Sequence, residues 1–419
     1  MTRDDAPDDR PPADRVEYEP VSVVELLGEM KDIAELLVDL SYSSVLFDDP
    51  ALAAEVLELE SEMDVLQLRA RMSLVMAGRS PDEAEELAPI FGIVGAAETI
   101  SDAAGDIAKV VLDDVGLPAS LRAALPDPVE TLARAELSDE SPYADRTLGD
   151  INLETETGVR VLAVRHGGEW LLDPGRETAL RAGDVLFCRG PDDGVQGVFE
   201  TMTGDPYERP AAVESAIADL DRAVETVVLM RNVSELAVDL AYGSVLFDDP
   251  ELAREVSELE VEVDALKERF EAWALRAAGE LEEPVAIRGL LHIAASTEVI
   301  SDAALEISEG VLRGLGSHPV VQAAVEASDE ILVSVPVAAG SDLAGTTIGE
   351  QALRTTTGTL VIAIRRDGPE SGTDWVLTPS PETRLHAGDT LITKGTRAGA
   401  ERLRALAGVG DGADGAGSG

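Results

Sequence analysis
Eight carboxylates recur in four pairs of one spacing: Glu60 and Asp64, Glu98 and Asp102, Glu260 and Asp264, Glu298 and Asp302. Residues four apart stand about 40° apart around a helix, so each pair presents two carboxylates on one face. Like charges so placed repel by about a few tenths of a kcal/mol in water, and a hard divalent cation between two such pairs would convert the repulsion into coordination. The alternative is a solvated acidic face, because 82 of the 419 residues are Asp or Glu and such pairs arise often by chance. Glu60 follows the apolar Leu59 and Glu98 follows Ala97, so both flank a seam where neighbouring helices can bring them together. The four histidines, His166, His292, His318 and His386, show no metal-ligand spacing. The Glu-x-x-His motif of bundle di-metal enzymes does not occur, nor does a Gly-x-x-x-x-Gly-Lys-Ser/Thr loop or a dinucleotide fingerprint. The expected chemistry is binding, not catalysis, and no catalytic residue is assigned.

Helices must carry these pairs. Leu52, Val56, Leu59, Met63 and Leu66 recur at steps of four and three, a heptad-like seam repeated by Leu252, Val256, Leu259, Val263, Leu266, Phe270 and Trp273. Ile90, Val94, Ala97, Ile100, Ala104, Ile107 and Val111 form another stripe. Pro50 and Pro81 suit first-turn positions, and Asp48-Asp49 and Asp248-Asp249 before the helix-starting prolines are explained by capping and the helix dipole. Three long helices with short connections predict an up-down-up bundle. Beyond them the period changes: Val159–Arg165, Trp170–Leu172, Val185–Arg189, Ile331–Val335, Leu360–Arg365, Trp375–Leu377 and Thr390–Thr393 are short β-rich runs. Thr147–Leu153 and Thr347–Leu353 read as short helices, and Gly183-Asp184 and Gly388-Asp389 as turn residues.

The whole pattern occurs twice. Asp39-Leu-Ser-Tyr-Ser-Ser-Val-Leu-Phe-Asp-Asp-Pro50 returns as Asp239-Leu-Ala-Tyr-Gly-Ser-Val-Leu-Phe-Asp-Asp-Pro250 at an offset of 200, which becomes 205 by Trp170 and Trp375.

The chain carries 33 Lys+Arg, a formal net charge of −49, 45% hydrophobic and 3% aromatic residues. At roughly 150 residues per domain the length predicts about three domains, with cores of Leu, Val, Ile and Ala. So acidic a chain lacks the electrostatic footprint of a nucleic-acid binder, and anionic membrane surfaces would repel it. The acid is spread along the whole length and Lys is scarce, which reads as adaptation to a saline cytoplasm, as in a halophile. A single cysteine, Cys188, fits a reducing compartment. The first residues lack the basic start and apolar core of a secretory signal, and no run of about 18 uninterrupted apolar residues occurs. A cytoplasmic protein without direct membrane insertion is expected, with residues 1–17 and 408–419 disordered.

Two resemblances cover roughly residues 20–405. The run from Gly158 to Gly190, with Arg165 ending a strand, Pro174 after the next and Ala182-Gly183-Asp184 before the last, resembles the TrkA-C (RCK_C) domain, and Gly358 to Gly395 repeats it. Leu57-Glu-Leu-Glu-Ser-Glu-Met-Asp64 and Glu98-Thr-Ile-Ser-Asp102 resemble the PhoU phosphate-uptake regulators, which can hold metal ions at such pairs. This chain has Thr99 or Val299 and Ala103 or Ala303 where PhoU has Arg and His, and a TrkA-C-like module separates its bundles.

The implied fold is an α+β multidomain chain: PhoU-like three-helix bundles at 18–117 and 210–317, alternating with small α/β TrkA-C-like modules at 128–203 and 326–407. The resemblance implies a non-enzymatic regulator of cation transport, with potassium foremost. The alternatives are PhoU-type control of phosphate uptake or signalling, and control of a divalent-cation (magnesium) transporter. It implies a homodimer formed through the β-rich halves and a membrane transporter or channel as partner with peripheral membrane association through it, while the charge already argues for no nucleic acid. It also implies a small ligand such as a cyclic dinucleotide at Val164, Arg165, Leu172 and Pro174, and at Ile364, Arg365, Leu377 and Pro379. Arg165 and Arg365 would pair with phosphate, or else cap strand ends and balance local acid. A divalent metal at the eight carboxylates is the other implied ligand.

Overall fold
A computed structural model describes residues 22–77, 80–113, 115–118, 120–121, 131–167, 169–172, 174–207, 217–314, 319–327, 331–367 and 373–409. The expected disordered segment 1–17 lies outside these residues, as does most of the C-terminal tail. Gly408 and Val409 still belong to the last module, Val409 packing against its core.

The first bundle is α1 (Val23–Phe47), α2 (Pro50–Ala77) and α3 (Pro81–Leu112). Ser22 and Glu25 form a capping box at the start of α1, and Asp48 closes it in the left-handed conformation at φ 51°. The Asp49 side chain then accepts the Ala51 and Leu52 amides at 2.9 and 3.1 Å, so one Asp-Asp dipeptide ends a helix and begins the next. The expected seams are buried along their length, Leu52 to Leu74 on α2 and Ile90 to Val111 on α3. Among the described residues one segment, Leu87–Leu112, is long and apolar enough to cross a membrane by length and composition. It is the core helix of the bundle, packed against α1, α2 and a helix of the second bundle.

The first module follows: β1 (Thr131–Glu136), α4 (Leu148–Ile151), α5 (Leu153–Thr157), β2 (Arg160–His166), β3 (Glu169–Leu172), β4 (Val185–Gly190) and α6 (Asp192–Thr203). Its sheet is antiparallel throughout, in the order β1-β4-β2-β3. The second copy runs α7 (Ala218–Phe247), α8 (Pro250–Glu280), α9 (Arg288–Leu312), α10 (Pro319–Ala327), β5 (Ile331–Pro336), α11 (Leu353–Thr357), β6 (Thr359–Asp367), β7 (Thr373–Leu377), β8 (Thr390–Gly395) and α12 (Arg397–Leu406), with sheet order β5-β8-β6-β7. Helical bundles thus alternate with small modules, as the residue pattern predicts.

Some details differ from the sequence reading. The short helix expected at 347–353 begins only at Leu353, and that at 147–153 is split in two by Asn152 at φ 54°. The α8 seam continues through Ala274 rather than Trp273, whose ring is held between Arg222 and Arg276 at 4.8 and 4.7 Å.

The two bundles share one hydrophobic core. α3 and α9 cross antiparallel where small residues allow close approach. A Cβ on Gly310 would stand 3.0 Å from Pro89, and one on Gly289 would stand 2.8 Å from Val110. Positions 89 and 289, and 110 and 310, are equivalents in the two copies. Each bulky residue therefore faces a glycine.

Each sheet is buried on both faces. On β4, Leu186 and Cys188 join the module's own core while Val185 and Phe187 enter the bundle core; on β8, Leu391 and Ile392 divide the same way. Alternation of side chains along a strand produces this two-sided burial. Cys188 is enclosed, and burial pushes its thiol up to about 12, which keeps it an inert core residue.

Candidate functional site
The antiparallel hairpin of α2 and α3 brings the first two carboxylate pairs together. One oxygen from each of Asp64, Glu98 and Asp102 lies within 4.8 Å of the others. The fourth, Glu60, leans across Gly105 to Lys109 Nζ at 3.6 Å; a Cβ on Gly105 would collide with the Glu60 carboxylate. Burial, and then the charge of Asp102, raises Glu98; burial, and then Asp64, raises Asp102. Gln67 is buried beside Glu98, and its side-chain hydrogen bond to that carboxylate works against the rise.

The second bundle builds the same cluster from a different three. Glu260, Asp264 and Asp302 supply oxygens within 4.8 Å, while Glu298 is drawn aside by Lys267 Nζ at 2.5 Å. Burial, then Asp264 and Asp302, raises Glu260; burial, then Glu298, raises Asp302. Position 67 is Gln where 267 is Lys, and position 109 is Lys where 309 is Glu. One lysine per bundle thus removes a different member from each quartet. Three acidic oxygens at this separation, short of compensating cations, are a donor set suited to a hard divalent ion.

The ligand residues implied by the TrkA-C resemblance divide between two faces. Val164 and Ile364 point into the module cores. Arg165 and Arg365 point at the bundles, Arg165 to Glu55 at 3.5 Å and Arg365 to Asp249 at 3.1 Å. Leu172 and Leu377 stand in the ladders opposite Ala163 and Ala363, and Pro174 and Pro379 are half-buried just beyond.

Those arginines belong to a set of ion pairs that inspection of the sequence does not reveal. Arg189 meets Asp39 at 2.7 Å, Lys394 meets Asp239 at 2.7 Å, and Arg134 meets Asp49 at 3.0 Å. Arg189 and Lys394 are equivalent, as are Asp39 and Asp239. Asp49 and Asp249 each cap a helix with one oxygen and hold a module cation with the other. Cations ring the bundle-facing side of each sheet, and the first two helices of the bundle supply the acids. Asp184 and Asp389 are buried turn residues, as expected: Asp184 accepts from the Arg181 amide and meets His166, while Asp389 accepts from the His386 amide and from Arg366 twice at 2.8 Å.

The model of the PhoU domain family matches residues 27–111 and 227–311, and that of the TrkA-C domain family residues 132–203 and 332–408. Both are families of regulatory domains linked to ion transport. The chain is a duplicated PhoU–TrkA-C protein, two PhoU domains alternating with two TrkA-C domains. No curated protein matches it. Among solved structures, PhoU from Pseudomonas aeruginosa is 15% identical over 70% of this chain and 96% of its own, with a TM-score of 0.39. The RCK_C domain dimer of S. agalactiae BusR in complex with c-di-AMP is 24% identical over 18% of this chain and 91% of its own, with a TM-score of 0.17. The GsuK RCK domain is 17% identical over 67% of this chain and 64% of its own, with a TM-score of 0.18.

Proposed function
We propose that this protein is a cytoplasmic, non-enzymatic regulator of cation transport, potassium foremost, that converts small-ligand binding in its TrkA-C domains into a rearrangement of its PhoU bundles. The bundles would hold divalent metal at Asp64, Glu98 and Asp102 and at Glu260, Asp264 and Asp302, with Glu60 and Glu298 able to join only on leaving Lys109 and Lys267. The ligand would be a cyclic dinucleotide at Arg165, Leu172 and Pro174 and their counterparts Arg365, Leu377 and Pro379; Val164 and Ile364, enclosed in the module cores on the other face of the sheet, would not touch it. The supporting observation is the set of ion pairs between sheet and bundle. Arg365 already engages Asp249, so a phosphate taking Arg365 would release an oxygen at the start of a long helix. Ligand binding and domain docking then compete for one guanidinium, which is how a local event shifts a two-state arrangement.

The test has two parts. Titration with c-di-AMP is expected to raise the melting temperature of the wild-type chain and to leave Arg165→Ala/Arg365→Ala unmoved. Affinity capture from detergent-solubilised membranes is expected to recover a potassium channel, antiporter or uptake protein. Recovery of a phosphate permease, with phosphate uptake altered on gene deletion and potassium and magnesium responses unchanged, would transfer the reading to phosphate control.

A further inference from the structure
The outward face of α2 departs from the rest of a polyanionic surface. From Val65 to Ala77 no acidic residue occurs, in a chain where 82 of 419 residues are Asp or Glu. Val65, Leu68, Val75 and Met76 are exposed there, at 36, 43, 69 and 62%, while the other faces of α2 pack on α1 and α3. The bundle does not require most of this stripe: in the second copy Val65, Leu68 and Met76 are replaced by Ala265, Glu268 and Arg276, and Val75 alone keeps an exposed apolar counterpart, Leu275.

The charges bordering the stripe are ordered about its centre. Glu62 and Asp64 precede it, Arg69 and Arg71 come after, and both sets are symmetric about the Leu66–Gln67 bond. At about 100° per residue, Glu62 and Arg69 fall on one flank of the stripe and Asp64 and Arg71 on the other. In an antiparallel helix pair the same flank of each helix faces its twin. A second α2 laid over the first about a twofold axis near that bond therefore sets Glu62 against Arg69 of the partner subunit on one side. On the other flank Asp64 belongs to the carboxylate cluster and Arg71 lies beside Glu98, so those charges are engaged within the chain. Val65 meets Leu68 of the partner subunit between the two flanks, and every contact occurs twice. The second bundle keeps the rim pair as Glu262 and Arg269 but lacks the apolar centre, because Glu268 stands where Leu68 does and Ala265 where Val65 does. The bundle-facing sides of both sheets are already covered within the chain, by contacts of Phe187, Ile362 and Ile392 with the bundle core.

We propose that the α2 face is an isologous interface between two copies of this chain, an antiparallel helix pair with an apolar, acid-free centre and matched charges, Glu62 against Arg69, along one rim. It is independent of which ligand or transporter the protein serves. Sedimentation velocity of the full chain at roughly 1 M KCl, where the Debye length is about 3 Å and whole-chain repulsion is screened, is expected to show a concentration-dependent dimer. Leu68→Glu, which installs the second copy's residue on an exposed helical position, is expected to raise the dimer Kd about tenfold or more with an unchanged circular dichroism spectrum. Glu62→Arg alone is expected to weaken the dimer, and Glu62→Arg with Arg69→Glu to restore it. A wild-type chain monomeric at every concentration, or a dimer indifferent to Leu68→Glu, would overturn the interface. Failure of the double variant to recover would overturn the antiparallel arrangement.

Discussion

Tyr42 and Tyr242 occupy equivalent places in the two copies, both fully buried, each ring facing a cation from the opposite bundle: Arg231 over Tyr42 and Lys31 over Tyr242. The Tyr42 hydroxyl lies 2.6 Å from Thr297 Oγ1, whereas the Tyr242 hydroxyl has no hydrogen-bond partner. The residue that would serve it, the counterpart of Thr297, is Ala97. A buried hydroxyl left unsatisfied costs about 1–3 kcal/mol. Ala97→Thr is therefore expected to stabilise the protein by about 1 kcal/mol, less a few tenths for a β-branched residue in a helix. Tyr42→Phe should cost a similar amount, and urea unfolding measures both. The carboxylate clusters argue at the same scale. Burial and like charge raise Glu98, Asp102, Glu260 and Asp302, so the folded state binds more protons than the unfolded chain just above the ordinary carboxylate range. Stability should fall as pH rises through that window and be regained when the carboxylates are protonated or bridged by metal. Asp102→Asn is expected to raise the melting temperature of EDTA-treated protein at pH 7 and to reduce the further rise on adding Mn²⁺. A Mn²⁺ shift of the same size in wild type and variant would remove Asp102 from the metal site.

At the level of elements, Asp249 performs two tasks that can be separated. Its Oδ1 accepts the Glu251 and Leu252 amides and its Oδ2 holds Arg365. Asp249→Ser keeps a capping oxygen but loses the ion pair, whereas Asp249→Ala loses both. The alanine variant is expected to cost about 1 kcal/mol more than the serine variant in global unfolding. Both should speed amide hydrogen exchange in β6 and β8, because the sheet is released from the bundle. Equal exchange in wild type and both variants would show that the apolar contacts hold the module unaided. The long helices were legible because burial follows the heptad steps of Leu52 to Leu66 and their counterparts. Helices α6 and α12 were not, because glycines interrupt them. A Cβ on Gly194 would stand 2.4 Å from Thr157 O, and one on Gly399 would stand 2.5 Å from Thr357 O. Those glycines let the final helix of each module sit against the short one, so a residue that weakens local helix propensity is needed by the tertiary contact. The carboxylate pairs were legible as spacing. Which three of each four converge was not, since Lys109 and Lys267 decide it from opposite ends of the cluster.

Over the whole molecule, the facing of Pro89 with Gly310 and of Val110 with Gly289 fits the two halves to each other rather than to themselves, since a copy paired with its own kind would set Pro89 against Val110 or glycine against glycine. That shared core must hold together a net charge of −49. Repulsion spread over a surface is a long-range effect that salt screens, whereas ion pairs between half-buried groups are screened much less. Arg189–Asp39 and Lys394–Asp239, with side chains only 11 to 13% exposed, fall in the second class. Raising KCl from about 0.1 M to about 1 M shortens the Debye length from about 10 Å to about 3 Å, which removes most of the repulsion and leaves the docking pairs largely intact. The melting temperature is therefore expected to climb steadily over that range, with the steepest gain at the low end. A flat or falling trend would mean that salt weakens the sheet-to-bundle pairs more than it relieves the surface charge, and the modules should then release first, seen as faster exchange in β4 and β8 than in α3 and α9.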